Sequence, residues 1–269
     1  MLRYIEICEK AVRAGGTTLI ERLGSAHVWQ KSPADLVTDA DLASQEIVTR
    51  ILRQAFPAHE VLGEEDVGDE AGETSGKLEA EFCWVLDPLD GTTNFAHGVP
   101  HFSVSLALLH RGEPLVGSVF DPLRDELFSA VAGRGASLNG KHIRTSNVAT
   151  ASEAVAAIGF PPGVNENSPD LKAFLRAIPR FQALRRTGSA ALNLAYVAMG
   201  RYDASWSYST RIWDMAAGVL LVRESDGTVC SPKGEDLDLR SGQFLVSATG
   251  KLNQEIQLLL NTPSLDAER

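Results

Sequence analysis

Apolar residues recur at helical spacing at Ile5, Cys8, Val12, Leu19 and Ile20, which predicts an opening helix over residues 3–23 that fades near Gly24. A second helix starts at Thr38-Asp39-Ala40-Asp41, a capping-box arrangement, and carries Ile47, Val48, Ile51, Leu52 and Ala55 on one face. Between them, residues 28–38, with Lys31, Ser32 and Pro33, read as a loop or hairpin. Val61-Leu62-Gly63 is a short apolar step, and Trp84-Val85-Leu86 reads as the end of a buried strand. Phe102–Leu109 alternates as a strand does, and Leu115–Phe120 and Glu126–Val131 follow across tight turns, so the first half is expected to pack helices on an antiparallel sheet. Around Thr145–Ser152 the chain turns small and polar, which places a boundary between residues 1–147, an α+β unit, and 148–269, an α/β unit. The second unit alternates: a strand at Val155–Ile158, a helix at Asp170–Ile178, a strand at Gln182–Leu184, and a helix at Ser189–Met199 ended by Gly200. A strand at Asp203–Trp206, a helix from Trp213-Asp214 to Glu224, a strand at Gln243–Ser247 and a helix at Leu252–Leu260 complete it. The expected fold class is α/β.

Composition adds bounds. With 269 residues, 44% of them hydrophobic, the chain can bury a large core. Cys8, Cys83 and Cys230 are odd in number and lack CxxC spacing, so neither a disulfide framework nor a zinc site is expected, and a reducing cytoplasm is the default location. The charged first helix is no signal peptide and no apolar run reaches spanning length, so no membrane partner is expected. A net charge of −10 disfavours nucleic acid as a bulk partner.

The candidate chemistry centres on Asp87-Pro88-Leu89-Asp90-Gly91-Thr92-Thr93-Asn94-Phe95. Two carboxylates three residues apart follow a buried strand on a turn set by Pro88 and Gly91, and the Gly-Thr-Thr-Asn run beyond could present backbone N–H groups to an anion. Carboxylates beside an anion call for a cation between them, so Asp87 and Asp90 are read as ligands of a divalent metal that bridges to a phosphate ester. Taken alone, Asp-Pro and Asp-Gly are ordinary turn dipeptides, and Asp41 and Asp214 at helix starts are ordinary caps. Glu64 and Glu65 stand apart from the acidic stretch that follows, to Glu81, because they fall where a strand ends. The rest of that stretch reads as a solvated loop. Gly188-Ser189-Ala190 opens a helix and is a second place for exposed N–H groups to meet an anion or hydroxyls.

Together, Gly63-Glu64-Glu65, the 87–95 run and Trp213-Asp214-Met215-Ala216-Ala217-Gly218 resemble the inositol monophosphatase family of magnesium-dependent, lithium-sensitive phosphatases. The resemblance extends to Asp35-Leu36-Val37-Thr38 with Asp41 and to Gly188-Ser189-Ala190-Ala191-Leu192-Asn193, so it covers nearly the whole chain. It implies a layered αβαβα sandwich and a homodimer. It also implies that Glu64, Asp87 and the Leu89 carbonyl hold a first Mg²⁺, that Asp87, Asp90 and Asp214 hold a second, and that Glu64 is available to a weaker third. Thr92 and Asp41 would orient the attacking water, and Asp90, the Gly91-Thr92 backbone and Gly188-Ser189-Ala190 would meet phosphate and substrate hydroxyls. Lys31 falls near the family's mobile lid, in a loop that is a residue shorter here. Such oxygen ligands suit Mg²⁺, so His97 and His101 are read as structural.

The same resemblance points to a polyol or sugar monophosphate, above all inositol 1-phosphate, because Thr93-Asn94 stands where the branches for 3′-phosphoadenosine phosphate or histidinol phosphate commonly carry a basic residue. Members that recognise inositol typically place an acid six residues before the Trp of Trp-Asp, and here that position is Ser207, with Arg211 close by. This widens the expected range to fructose 1,6-bisphosphate and other sugar phosphates. Some bacterial relatives act as transcription antitermination factors, so a non-catalytic partner role is the alternative from a different class.

Overall fold

The computed structural model describes residues 1–32, 35–66, 76–161 and 163–262. Helices α1 (Leu2–Arg22) and α2 (Asp39–Ala55) flank a hairpin of β1 (Val28–Ser32) and β2 (Asp35–Thr38). Thr38 caps α2 as its sequence pattern predicts, accepting from the N–H groups of Ala40 and Asp41. The large sheet holds β3 (Glu60–Gly63), β4 (Phe82–Asp90), β5 (Ser103–His110), β6 (Glu113–Asp121), β7 (Glu126–Val131), β8 (Ala136–Leu138) and β9 (Lys141–His142) in that spatial order. The expected antiparallel pairing holds from β4 onward, whereas β3 lies parallel to β4, because residues 64–81 leave room for a crossover where a hairpin would need a tight turn. The acidic loop expected there falls partly, at 67–75, outside the described residues.

The smaller sheet is built from β10 (Val155–Ile158), β11 (Ala183–Arg186), β12 (Ala204–Ser207), β13 (Thr228–Cys230) and β14 (Phe244–Ser247), in the order β11-β10-β12-β14-β13. The first three are parallel, joined through helices, and β14 pairs antiparallel on both sides. The helices are α3 (Thr92–Ala96), α4 (Pro169–Ala177), α5 (Ala190–Ala198), α6 (Ile212–Arg223) and α7 (Gly250–Asn261).

Strand periodicity builds the layers. Trp84, Leu86, Leu106 and Leu108 face Cys8, Val12, Val48 and Leu52 of α1 and α2. The intervening Cys83, Val85, Ala107 and Leu109 face the opposite way, into a middle layer where α5 and α6 also cover Phe244 and Val246 of the small sheet. The far side of that sheet, with Ala156, Ile158 and Trp206, packs on Ala173 and Ala177 of α4 and on Leu252 and Ile256 of α7. The result is an αβαβα stack. A sheet covered on both faces has no polar side, so the alternation read in Phe102–Leu109 is not inside against outside: Ser103 and Ser105 are themselves buried. For the same reason α6, enclosed between two sheets, is apolar around its circumference from Met215 to Val222. The two- and three-residue strands β8, β9 and β13, which the pattern leaves as turns or silent, are too short to carry a period. All three cysteines are free and buried. Among the described residues, no helix is long and apolar enough to cross a membrane.

Candidate metal centre

Pro88 is the first departure from the expected turn. β4 does not end at Leu86 but runs to Asp90, and its pairing with β5 breaks between Asp87 and Asp90. Proline cannot donate to a ladder, so the strand bulges there and is held by other bonds. Ser44 Oγ of α2 donates to the Pro88 carbonyl at 2.8 Å, and the Leu89 N–H donates to Asp87 Oδ1 at 3.0 Å. The bulge leaves both carboxylates buried, Asp87 2% and Asp90 6% exposed, at the carboxyl end of a strand paired on both sides.

Gly91 then adopts φ +100°, and a Cβ built on it would lie 3.1 Å from the His101 carbonyl and 3.2 Å from the Gly188 carbonyl. Glycine therefore permits the close approach of this turn to the segment before α5. Asn94 fastens the same contact, donating from Nδ2 to His101 O at 2.7 Å and to Thr187 O at 2.8 Å.

That approach sets Asp90 at the start of α5. Oδ2 accepts from Ser103 Oγ at 3.1 Å, from the Ala191 N–H at 3.0 Å and from Ser189 Oγ, while Oδ1 accepts from the Ala190 N–H at 2.9 Å. Helix-terminal donors and the local dipole favour the ionised carboxylate, which opposes the upward push on its pKa from burial. Of its two oxygens, Oδ1 retains the greater lone-pair capacity. Ser189 and Ala190, expected to meet substrate, are here partners of Asp90.

Asp41 divides its oxygens between two tasks. Oδ2 accepts from the Thr38 N–H at 2.8 Å and Thr38 Oγ1 at 2.6 Å, the capping box, while Oδ1 lies 3.1 Å from Thr92 Oγ1. The Thr92 hydroxyl is also 3.1 Å from the Leu89 carbonyl, and its one proton serves one acceptor at a time. Burial lifts the Asp41 pKa to about 6, against the hydrogen bonds from Thr38.

Glu64 arrives from a 3-10 turn, Glu64–Asp66, at the end of β3. Gln45 of α2 holds that turn, accepting from the Glu65 N–H at 3.0 Å and donating to Asp66 Oδ1 at 2.9 Å. Asp214 comes from the first turn of α6, where it accepts from the Arg211 N–H at 2.8 Å. Burial first, then the charge of Asp214, raises Glu64 to about 8. Burial raises Asp214 to about 7, with Asp90 adding repulsion and a hydrogen bond from Asp87 opposing it. Asp87 is raised well above the ordinary range by burial and by Glu64, Asp90 and Asp214. Four carboxylates from three separated segments thus sense one another. Among the described residues, no three His, Cys, Asp or Glu side chains are drawn into a finished metal cluster, and Asp87, Asp90 and Asp214 are each turned toward donors of the chain.

Of the other expected residues, Lys31 and Arg211 border the carboxylates and Ser207 bonds to Asp170. Lys31 Nζ pairs with Glu65 at 2.6 Å and lies 4.0 Å from Glu64. Ser207 is buried at 2% exposed, and its Oγ lies 3.4 Å from Asp170; Arg211 is exposed. Residues that pattern reasoning missed are Ser44, Gln45, Ser103 and Asp170, polar side chains at buried positions. Only Ser103 left a signal, as a polar residue inside an apolar strand.

A model of the inositol monophosphatase family matches residues 2–262. A Pseudomonas aeruginosa protein named Nus factor SuhB is 41% identical over 257 residues, covering 93% of this chain and 93% of its own. An inositol-1-monophosphatase from Synechocystis is 38% identical over 267 residues, 97% of this chain and 90% of its own. The solved inositol monophosphatase of Anabaena superposes with a TM-score of 0.85 at 35% identity, covering 99% and 98%. The chain belongs to the inositol monophosphatase family, whose members are phosphoric monoester hydrolases.

Proposed function

We propose that the chain hydrolyses a phosphate monoester of a polyol or sugar, above all inositol 1-phosphate, using Mg²⁺ held by Glu64, Asp87, Asp90, Asp214 and the Leu89 carbonyl. The observation that carries this reading is the mutual influence of four buried or partly buried carboxylates, with Glu64 raised to about 8, Asp214 to about 7 and Asp87 well above its ordinary value. A cluster of hard anionic oxygens that holds protons at neutral pH is a fit for a divalent cation, which replaces those protons and removes the repulsion. When bound, the cation supplies Lewis acidity and an activated water for displacement at phosphorus.

The remaining work belongs to the chain. Asp41 Oδ1 accepts the Thr92 proton, which leaves the Thr92 oxygen free to accept from a water and aim it. Asp90 is pinned through Oδ2, so Oδ1 has a fixed direction. Residues 1–147 carry most of the ligands, and residues 148–269 close the site with Asp214 and the Gly188–Ala190 turn. We place the active protein in the cytoplasm as a homodimer. The name of the Pseudomonas relative supports a second reading, a role with the transcription machinery. Phosphate release from inositol 1-phosphate, fructose 1,6-bisphosphate, histidinol phosphate and 3′-phosphoadenosine phosphate, each with and without Li⁺, tests the first. Inositol 1-phosphate should turn over fastest, and all activity should be lost in EDTA. No Mg²⁺-dependent release from any of the four would reject it.

A further inference from the structure

The segment from Ser207 to Arg211 links the end of β12 to the first turn of α6, which bears Asp214. It is clamped at two points. The nearer to Asp214 is Thr210, whose N–H and Oγ1 both donate to the Gly242 carbonyl at 2.9 Å. Gly242 adopts φ +66°, and a Cβ there would stand 2.2 Å from the Thr210 carbonyl, so the contact requires glycine.

The other clamp is Asp170, in the first turn of α4 and 3% exposed. Its carboxylate reaches across to the segment: Oδ1 accepts from the Tyr208 N–H at 2.9 Å and lies 3.4 Å from Ser207 Oγ, and Oδ2 accepts from Ser209 Oγ at 2.7 Å. Ser207 Oγ in turn accepts from the Ser209 N–H at 3.2 Å. A buried carboxylate with three donors from three consecutive residues dictates their backbone path, since a buried charge left without donors is strongly disfavoured. Tyr208 is further fixed by packing on the outer core of the small sheet.

We propose that Asp170 is a positioning residue for substrate discrimination: it shapes the Ser207–Ser209 wall and so selects among phosphate esters without touching the metal ligands. This rests on the phosphatase reading above. The position where the resemblance calls for an acid holds Ser207, and the nearby carboxylate, supplied by α4, is turned inward to the segment's own donors. The wall therefore offers backbone and the exposed Ser209 rather than a carboxylate. The Thr210 clamp separates this wall from Asp214, so loosening Ser207–Ser209 leaves the metal ligands in place.

The test compares inositol 1-phosphate with p-nitrophenyl phosphate, whose aryl group makes no hydroxyl contacts. In Asp170→Ala, kcat/KM for inositol 1-phosphate should fall about tenfold through KM, while p-nitrophenyl phosphate turnover and the Mg²⁺ concentration for half-maximal rate change by less than about threefold. Asp170→Asn keeps an acceptor for the Tyr208 N–H, and Ser209 can rotate to accept from its amide, so it should restore most of the ratio. If Asp170→Ala fails to fold, Ser209→Ala, which removes one bond, decides: the ratio should shift in the same direction by a smaller amount. Equal losses on both esters, or an unchanged ratio, overturn the proposal. A wild-type protein with no Mg²⁺-dependent release instead overturns the phosphatase reading beneath it.

Discussion

Neutralising Asp87 should make the metal-free protein more stable while removing its response to Mg²⁺. Asp87 is buried among Glu64, Asp90 and Asp214, and its pKa lies well above the ordinary 3.8. A carboxyl group raised in the folded state binds more protons there than in the unfolded chain. Its contribution to stability is therefore complete below about pH 4 and is lost as pH rises toward the folded value. At about 1.36 kcal/mol per pH unit, the ceiling on that loss at pH 7 is about 4 kcal/mol. Water reaching the partly exposed Glu64 and Asp214 and relaxation around the site bring the loss below that ceiling. Asp87→Asn removes the term and keeps the bonds, because Asn Oδ1 still accepts from the Leu89 N–H and the amide can donate to Asp214. For a chain of this size each 1 kcal/mol of relieved repulsion raises Tm by roughly 2–4 °C. Thermal unfolding in EDTA at pH 5, 6, 7 and 8 should show the variant above wild type, with a gap that widens as pH rises. In Mg²⁺ at a hundred times Kd the wild type should gain about 2.7 kcal/mol, and the variant little or none. A variant that melts below wild type in EDTA at pH 7, or a gap that does not grow with pH, would refute this electrostatic account.

Two further outcomes test other parts of the site. Because Asp41 must be ionised to accept the Thr92 proton and its pKa is raised to about 6, phosphate release at saturating Mg²⁺ should rise as pH passes about 6. Asp41→Asn should lower kcat and flatten that limb, and a limb that survives unchanged would remove Asp41 from the mechanism. Gly91→Ala places a Cβ 3.1 Å from the His101 carbonyl at φ +100°, a strain of about 1–3 kcal/mol, so Tm should drop by several degrees and turnover by about tenfold or more. A fully active, equally stable Gly91→Ala protein would show that the approach to Gly188 is not needed.

Much of this architecture is legible in the pattern of apolar residues, because α1 and α2 carry a helical period that their burial realises and β5, β6 and β7 are apolar runs set off by tight turns. What the pattern misses lies in tertiary pairing. The opposition of Ser103 to Asp90 follows from strand register, and the bonds from Ser189, Ala190 and Ala191 to Asp90 span about a hundred residues. Pro88 reads locally as a turn, yet the ladder on either side of it continues the strand as a bulge. Asp41 and Asp214 read as helix caps, and both are: Asp41 caps with one oxygen and faces Thr92 with the other. Asp170 left no local signal, since its three partners lie 37 to 39 positions away.

The most direct test of the central claim is phosphate release from inositol 1-phosphate as a function of Mg²⁺, for wild type, Asp87→Asn and Asp214→Asn. Wild type should show saturable, EDTA-abolished release, and each variant, still folded, should lose at least about a hundredfold. Release that survives EDTA, or that either variant retains at the wild-type rate, would contradict it.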